Sequence, residues 1–117
     1  MRKTMLIVED EFMIAMDLQL MLERHGWQVM GPVGTVADAL ALVNEQLPSA
    51  ALLDVNLGDG LVTAVAEFLQ AHSVPFALAS AYERPEEFGG EVLAGAPNAG
   101  KPTNERRVLA AIAKLRI

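Results

Sequence analysis

The chain has no cysteine, no apolar run of bilayer-spanning length and no surplus of basic residues. Without cysteine it can form neither disulfides nor thiolate metal sites. The apolar part of the opening stretch MRKTMLIVEDE is too short for a signal peptide, and no later run reaches the length of a membrane helix, so the expected compartment is the cytoplasm and no membrane contact is expected. Nine Lys and Arg against fifteen Asp and Glu leave a formal net charge of −6, which argues against direct nucleic-acid binding, since that needs a basic footprint. Histidine is scarce too: His25 and His72 stand at no ligand spacing and read as solvated helix-end residues. There is no internal repeat, linker or low-complexity tract.

What is present is enough for a core. At 117 residues and 52% hydrophobic content, residues 1–117 read as one folded domain. The stretch Ala50-Ala-Leu-Leu-Asp54-Val-Asn-Leu-Gly-Asp-Gly60 organises it. An apolar run ended by turn residues reads as a strand buried on both faces, and it delivers Asp54 to the strand's carboxyl end, where open α/β sheets place their sites.

Around this stretch strands and helices alternate. A first strand, 4–8, runs into Glu9-Asp10-Glu11, either a charged helix-capping loop or a site for a hard divalent cation, which relieves the repulsion of adjacent carboxylates. A helix over 12–25 carries the stripe Ile14, Leu18, Met21 and Leu22, with Gly26 as its stop. The second strand, 27–33, contains Gly31-Pro32, which suits a sheet edge. Thr35 and Asp38 form a capping pattern for a helix over 36–46. After the Asp54 loop come a helix over 61–72, with Val62, Val65, Ala66 and Leu69 on one face, and a fourth strand over 76–79 ending in Ser80-Ala81-Tyr82. Glu-Arg-Pro-Glu-Glu-Phe-Gly-Gly over 83–90 makes a poor helix, short or mobile. Residues 92–100 are expected to hold a fifth strand despite Pro97 and two glycines, with Lys101-Pro102 after it. A last helix over about 104–115 presents Val108, Ala111, Ile112 and Leu115. Five strands alternating with helices predict a three-layer α/β sandwich, flavodoxin-like, with a parallel sheet of order 2-1-3-4-5.

In that order the strand ends meet at one rim. Glu9, Asp10 and Asp54 lie side by side, opposite the Ser80 hydroxyl and the Lys101 ammonium. Three carboxylates, a hydroxyl and a lysine suit a tetrahedral anion beside Mg²⁺. Asp54 then suits the nucleophile of an acyl phosphate, with Lys101 offsetting phosphoryl charge and Ser80 donating a hydrogen bond.

These residues, in this order and each at a strand end, resemble the receiver domain of a two-component response regulator over essentially the whole chain. By position, Asp54 resembles the phosphoacceptor, Asp10 and Asp54 direct Mg²⁺ ligands, Glu9 a ligand acting through water and the Asn56 carbonyl the third protein ligand. Ser80 takes the place of the switch Ser/Thr and Lys101 that of the phosphate-binding lysine. A narrower resemblance, carried by residues 8–35, 52–60 and Val-Pro-Phe-Ala-Leu-Ala-Ser-Ala-Tyr over 74–82, is to alphaproteobacterial single-domain receivers that read Phe-Ala-Thr-Gly-x-Tyr after the fourth strand and have a poorly formed fourth helix. Two positions depart from the family: Asn98 stands where an aromatic is usual, three before the lysine, and Thr103 where phenylalanine is frequent.

The resemblance implies a cytoplasmic bacterial signalling switch, not a turnover enzyme. A sensor histidine kinase or phosphotransfer protein would donate the phosphoryl group, and the output would pass by protein contact to a downstream protein, from a monomer or weak homodimer. Two other readings stand beside it. One is a receiver that acts as a phosphorylation-independent interaction module. The other is an aspartate-nucleophile phosphatase, for which Asn56 occupies the place of the general acid and cannot serve as one.

Overall fold

The computed structural model describes residues 3–117. Its centre is a parallel sheet of β1 (Thr4–Val8), β2 (Gln28–Val33), β3 (Ala50–Leu53) and, after a two-residue-per-strand hairpin, β6 (Phe76–Leu78), in the order β2-β1-β3-β6. The hairpin joins β4 (Asn56–Leu57) to β5 (Gly60–Leu61). β1 and β3, buried throughout, lie side by side in register from Met5 and Ala50 to Val8 and Leu53. β2 forms the edge that Gly31-Pro32 foretells.

Strand alternation divides the core in two. Met5, Ile7, Ala50 and Leu52 point to one layer, where they meet Leu18, Met21 and Leu22 of α1 (Phe12–Arg24) and Val108, Ala111 and Ile112 of α5 (Glu105–Ala113). Leu6, Val8, Ala51 and Leu53 point to the other, with Ala39 and Val43 of α2 (Val36–Glu45) and Val65, Ala66 and Leu69 of α3 (Thr63–Ala71). This is the expected three-layer sandwich. Among the described residues no helix is long and apolar enough to cross a membrane.

Two segments, the third long helix and the fifth strand, differ from the sequence expectation, and the stretch over 83–90 is short as expected. The third long helix starts at Thr63 rather than residue 61, because Gly60 and Leu61 pair back onto Asn56 and Leu57. The poor helix over 83–90 is a single turn, α4 (Glu86–Gly89). The fifth strand is reduced to one bridge, Leu78 to Asn98, because Glu91–Leu93 winds into a 3₁₀ turn, Gly95 adopts a φ of +78° and Pro97 has no N–H to donate. What remains is two bonds, Leu78 N to Pro97 O at 2.7 Å and Ala99 N to Leu78 O at 2.8 Å. The order 2-1-3-4-5 therefore persists, its last place held by a fragment.

Candidate functional site

The sheet's ladder runs directly into the site. Glu9 N donates to Val33 O at 2.9 Å, Asp54 N to Val8 O at 2.8 Å and Ala79 N to Leu53 O at 2.9 Å. Beyond these amides a cavity of about 300 Å³ opens at the carboxyl edge, lined by Asp10, Asp54, Asn56, Ser80, Tyr82 and Lys101 among others. Glu9, Asp54 and Ser80 are buried, while Asp10 faces solvent. Of the residues singled out in the sequence, Asp10, Asp54, Asn56, Ser80 and Lys101 line this cavity, while Glu9 does not line it but contacts Lys101; the two histidines are not among those that line it.

Lys101 is the pivot. Its Nζ lies 3.3 Å from Glu9 Oε1 and 3.2 Å from Asp54 Oδ2. Asp54 Oδ1 accepts a hydrogen bond from Val55 N at 2.8 Å, and Glu9 Oε2 accepts one from Glu11 N at 3.1 Å. Burial, reinforced by the neighbouring Asp54 carboxylate, outweighs the Glu11 N–H and Lys101 and raises Glu9 from 4.5 to about 7. Asp54 is raised as well, by burial, with the Lys101 ammonium opposing. For Lys101, burial would lower the pKa, but the carboxylates of Asp54 and Glu9 prevail and raise it.

Carboxylate oxygens of Glu9, Asp10 and Asp54 all lie within 4.8 Å of one another. Glu9 Oε1 is buried and makes no aligned hydrogen bond among the described residues. A buried carboxylate oxygen facing the Lys101 ammonium inside an all-oxygen acidic cluster fits a hard divalent cation, which would offset the desolvation that raises both Glu9 and Asp54.

Three contacts around the rim were not legible in the chain. Asn56 Nδ2 donates to the Tyr82 hydroxyl, linking two residues that line the cavity, and the Tyr82 ring stacks on Phe88 of α4 with centroids 4.0 Å apart. Asp59, in the β4–β5 turn, accepts from Val36 N at 2.7 Å and Ala37 N at 3.2 Å, so the loop after Asp54 is tied to the start of α2, which Thr35 also caps through Asp38 N. Asn98 Oδ1 accepts from Ser80 N at 3.0 Å and Gly100 N at 2.9 Å, while its Nδ2 donates to Tyr82 O at 3.2 Å. Short polar side chains reaching across loops carry no periodicity. The signal in the chain that points to Asn98 is its polarity at a strand position where an aromatic is usual.

No protein-family model matches the chain. It is 37% identical over 91 residues to the phyllosphere-induced regulator PhyR of Methylorubrum extorquens, an alignment covering 75% of this chain and 33% of that protein, so it spans about a third of this curated relative. The solution structure of SdrG from Sphingomonas melonis superposes with a TM-score of 0.80 at 38% identity, covering 96% of this chain and 94% of SdrG. The crystal structure of the response regulator PhyR from Brucella abortus superposes with a TM-score of 0.78 at 33% identity, covering 97% of this chain and 47% of that one.

Proposed function

The chain belongs to the receiver-domain family of two-component response regulators, and on that premise we propose that residues 1–117 form a signalling switch operated by phosphorylation of Asp54. The observation that supports this most directly is Lys101 Nζ resting on Asp54 Oδ2 in a cavity that Ser80 also lines.

The donor is a phosphohistidine of a sensor kinase or phosphotransfer protein. An Asp54 oxygen attacks phosphorus, the Asp54 O–P bond forms and the donor's P–N bond breaks. The electron pair goes to the imidazole nitrogen. Lys101, already beside Asp54, pairs with the phosphoryl oxygens, and the Ser80 hydroxyl, which now accepts from Tyr82 N at 3.1 Å, turns to donate to one of them. Asp10, Asp54 and the Asn56 carbonyl, with Glu9 beside them, would hold Mg²⁺, and the bound ion would offset negative charge on the same oxygens. Movement of Ser80 draws Tyr82 with it, and Tyr82 carries Phe88, so the change reaches the surface at α4, where a downstream protein reads it. Asn56 and Tyr82, linked across the mouth, control the access of hydrolytic water and so the phosphoryl lifetime.

The test is the intact mass after incubation with Mg²⁺ and acetyl phosphate, beside Asp54→Asn. A gain of one phosphoryl group in the parent alone is expected. Gain in both proteins removes Asp54 as acceptor, and gain in neither, with Mg²⁺ binding intact, favours a phosphorylation-independent module.

A further inference from the structure

The fragmentary fifth strand leaves a mechanical gap at the site. Main-chain pairing to β6 ends with Ala99 N on Leu78 O, and Ser80 N and Gly100 N lie beyond it. One side chain takes up both amides. Asn98 Oδ1 accepts from Ser80 N and from Gly100 N, and Nδ2 donates to Tyr82 O. The two converging N–H donors fix the amide's orientation, since a flipped group would set its NH₂ against both of them. Gly100 adopts a φ of +77°, which turns the chain immediately before Lys101. A single planar group therefore joins the turn that carries Ser80 to the turn that carries Lys101.

We infer that Asn98 is a positioning residue that holds Ser80 and Lys101 as one rigid unit, so that both meet the phosphoryl oxygens together and a displacement of Ser80 is passed to the Lys101 turn. The inference rests on the phosphoacceptor reading of Asp54. Asn98 itself does not line the cavity, so it acts through the groups it holds. It does not hold the acidic half, whose amides are fixed by the sheet: Glu9 N by Val33 O and Asp54 N by Val8 O. Loss of the clamp should thus separate two properties that general unfolding lowers together: metal binding and recognition of the tetrahedral group.

The experiment compares the parent, Asn98→Leu and Asn98→Ala, each with and without Ser80→Ala. Mg²⁺ affinity is measured first, then affinity for beryllofluoride in saturating Mg²⁺. Both Asn98 variants are expected to bind Mg²⁺ within about twofold of the parent and beryllofluoride about tenfold more weakly, the weight of one hydrogen bond to a charged group. Ser80→Ala should weaken beryllofluoride binding in the parent and add little in either variant, because Ser80 is already out of place. Parent-like beryllofluoride affinity in the Asn98 variants overturns the inference alone. So does an equal loss of Mg²⁺ and beryllofluoride, or an undiminished Ser80→Ala effect. A parent that binds Mg²⁺ but not beryllofluoride overturns the phosphoacceptor reading, and the inference with it.

Discussion

At the acidic half of the cavity the backbone is still inside the sheet's ladder, with Glu9 N and Asp54 N donating to Val33 O and Val8 O. At the opposite half the ladder has ended, and Ser80 N and Gly100 N donate to the Asn98 side chain instead. Glu9 and Asp54 therefore directly follow fully buried strands whose displacement would disturb both core layers. The hydroxyl and the ammonium sit on turns joined by a few side-chain bonds. A switch needs this asymmetry: a rigid half to hold charge in place, and a half that can shift by exchanging hydrogen bonds of modest net worth.

The strongest way to break the comparison is Lys101→Met. Phosphorylation by acetyl phosphate should slow about 100-fold, the weight of one preorganised charge-stabilising donor, while Mg²⁺ still binds; stopped-flow and metal titration together check this. Loss of Mg²⁺ binding would show that the halves are not independent.

The acidic half has its own pH signature. Glu9 is raised from 4.5 to about 7, so between these values the folded metal-free chain holds a proton that the unfolded chain releases. Its contribution to stability is full below about 4.5 and is lost as pH rises through about 7, and the raised Asp54 acts in the same direction. Thermal unfolding should show a fall in Tm of about 4 °C or more across this window. Glu9→Gln should flatten much of the fall, and Mg²⁺, which expels the proton, should bind more tightly as pH rises through the same range. A parent slope equal to that of Glu9→Gln would refute the assignment.

Amide hydrogen exchange sharpens the contrast directly. The amides of Glu9 and Asp54 should exchange near the global unfolding limit, and those of Ser80 and Gly100 sooner, by local opening. Uniform protection would mean that the Asn98 side holds as firmly as the ladder. The smallest effect is expected at the mouth. Asn56→Ala and Tyr82→Phe each remove one end of the link across it, and each should change the dephosphorylation rate by less than Lys101→Met changes phosphorylation, as followed by loss of the phosphoryl mass. Unchanged rates in both would free the mouth of any role in water access.

Much of this could be read from the chain. Apolar runs such as Ala50–Leu53 announce strands buried on both faces, and a charged or hydroxyl residue directly after each run places Glu9, Asp54 and Ser80 at one edge once the strands are parallel. The fifth strand was less legible because residues 92–100 mix apolar positions, which suit a strand, with Pro97 and glycines, which remove its ladder bonds; only packing shows how much pairing survives.

The sequence by itself determined the alternation of strands and helices, the division of apolar residues between two core layers and the order in which carboxylates, hydroxyl and lysine reach the rim, because these follow from local periodicity and from what ends each run. Tertiary structure alone decided that Glu9 is buried deeply enough to keep its proton to about 7, that Tyr82 bridges Asn56 and Phe88, and that Asn98 clamps Ser80 to the Lys101 turn. Burial and hydrogen bonding depend on partners brought in from other turns and strands, and no local pattern records which partner arrives.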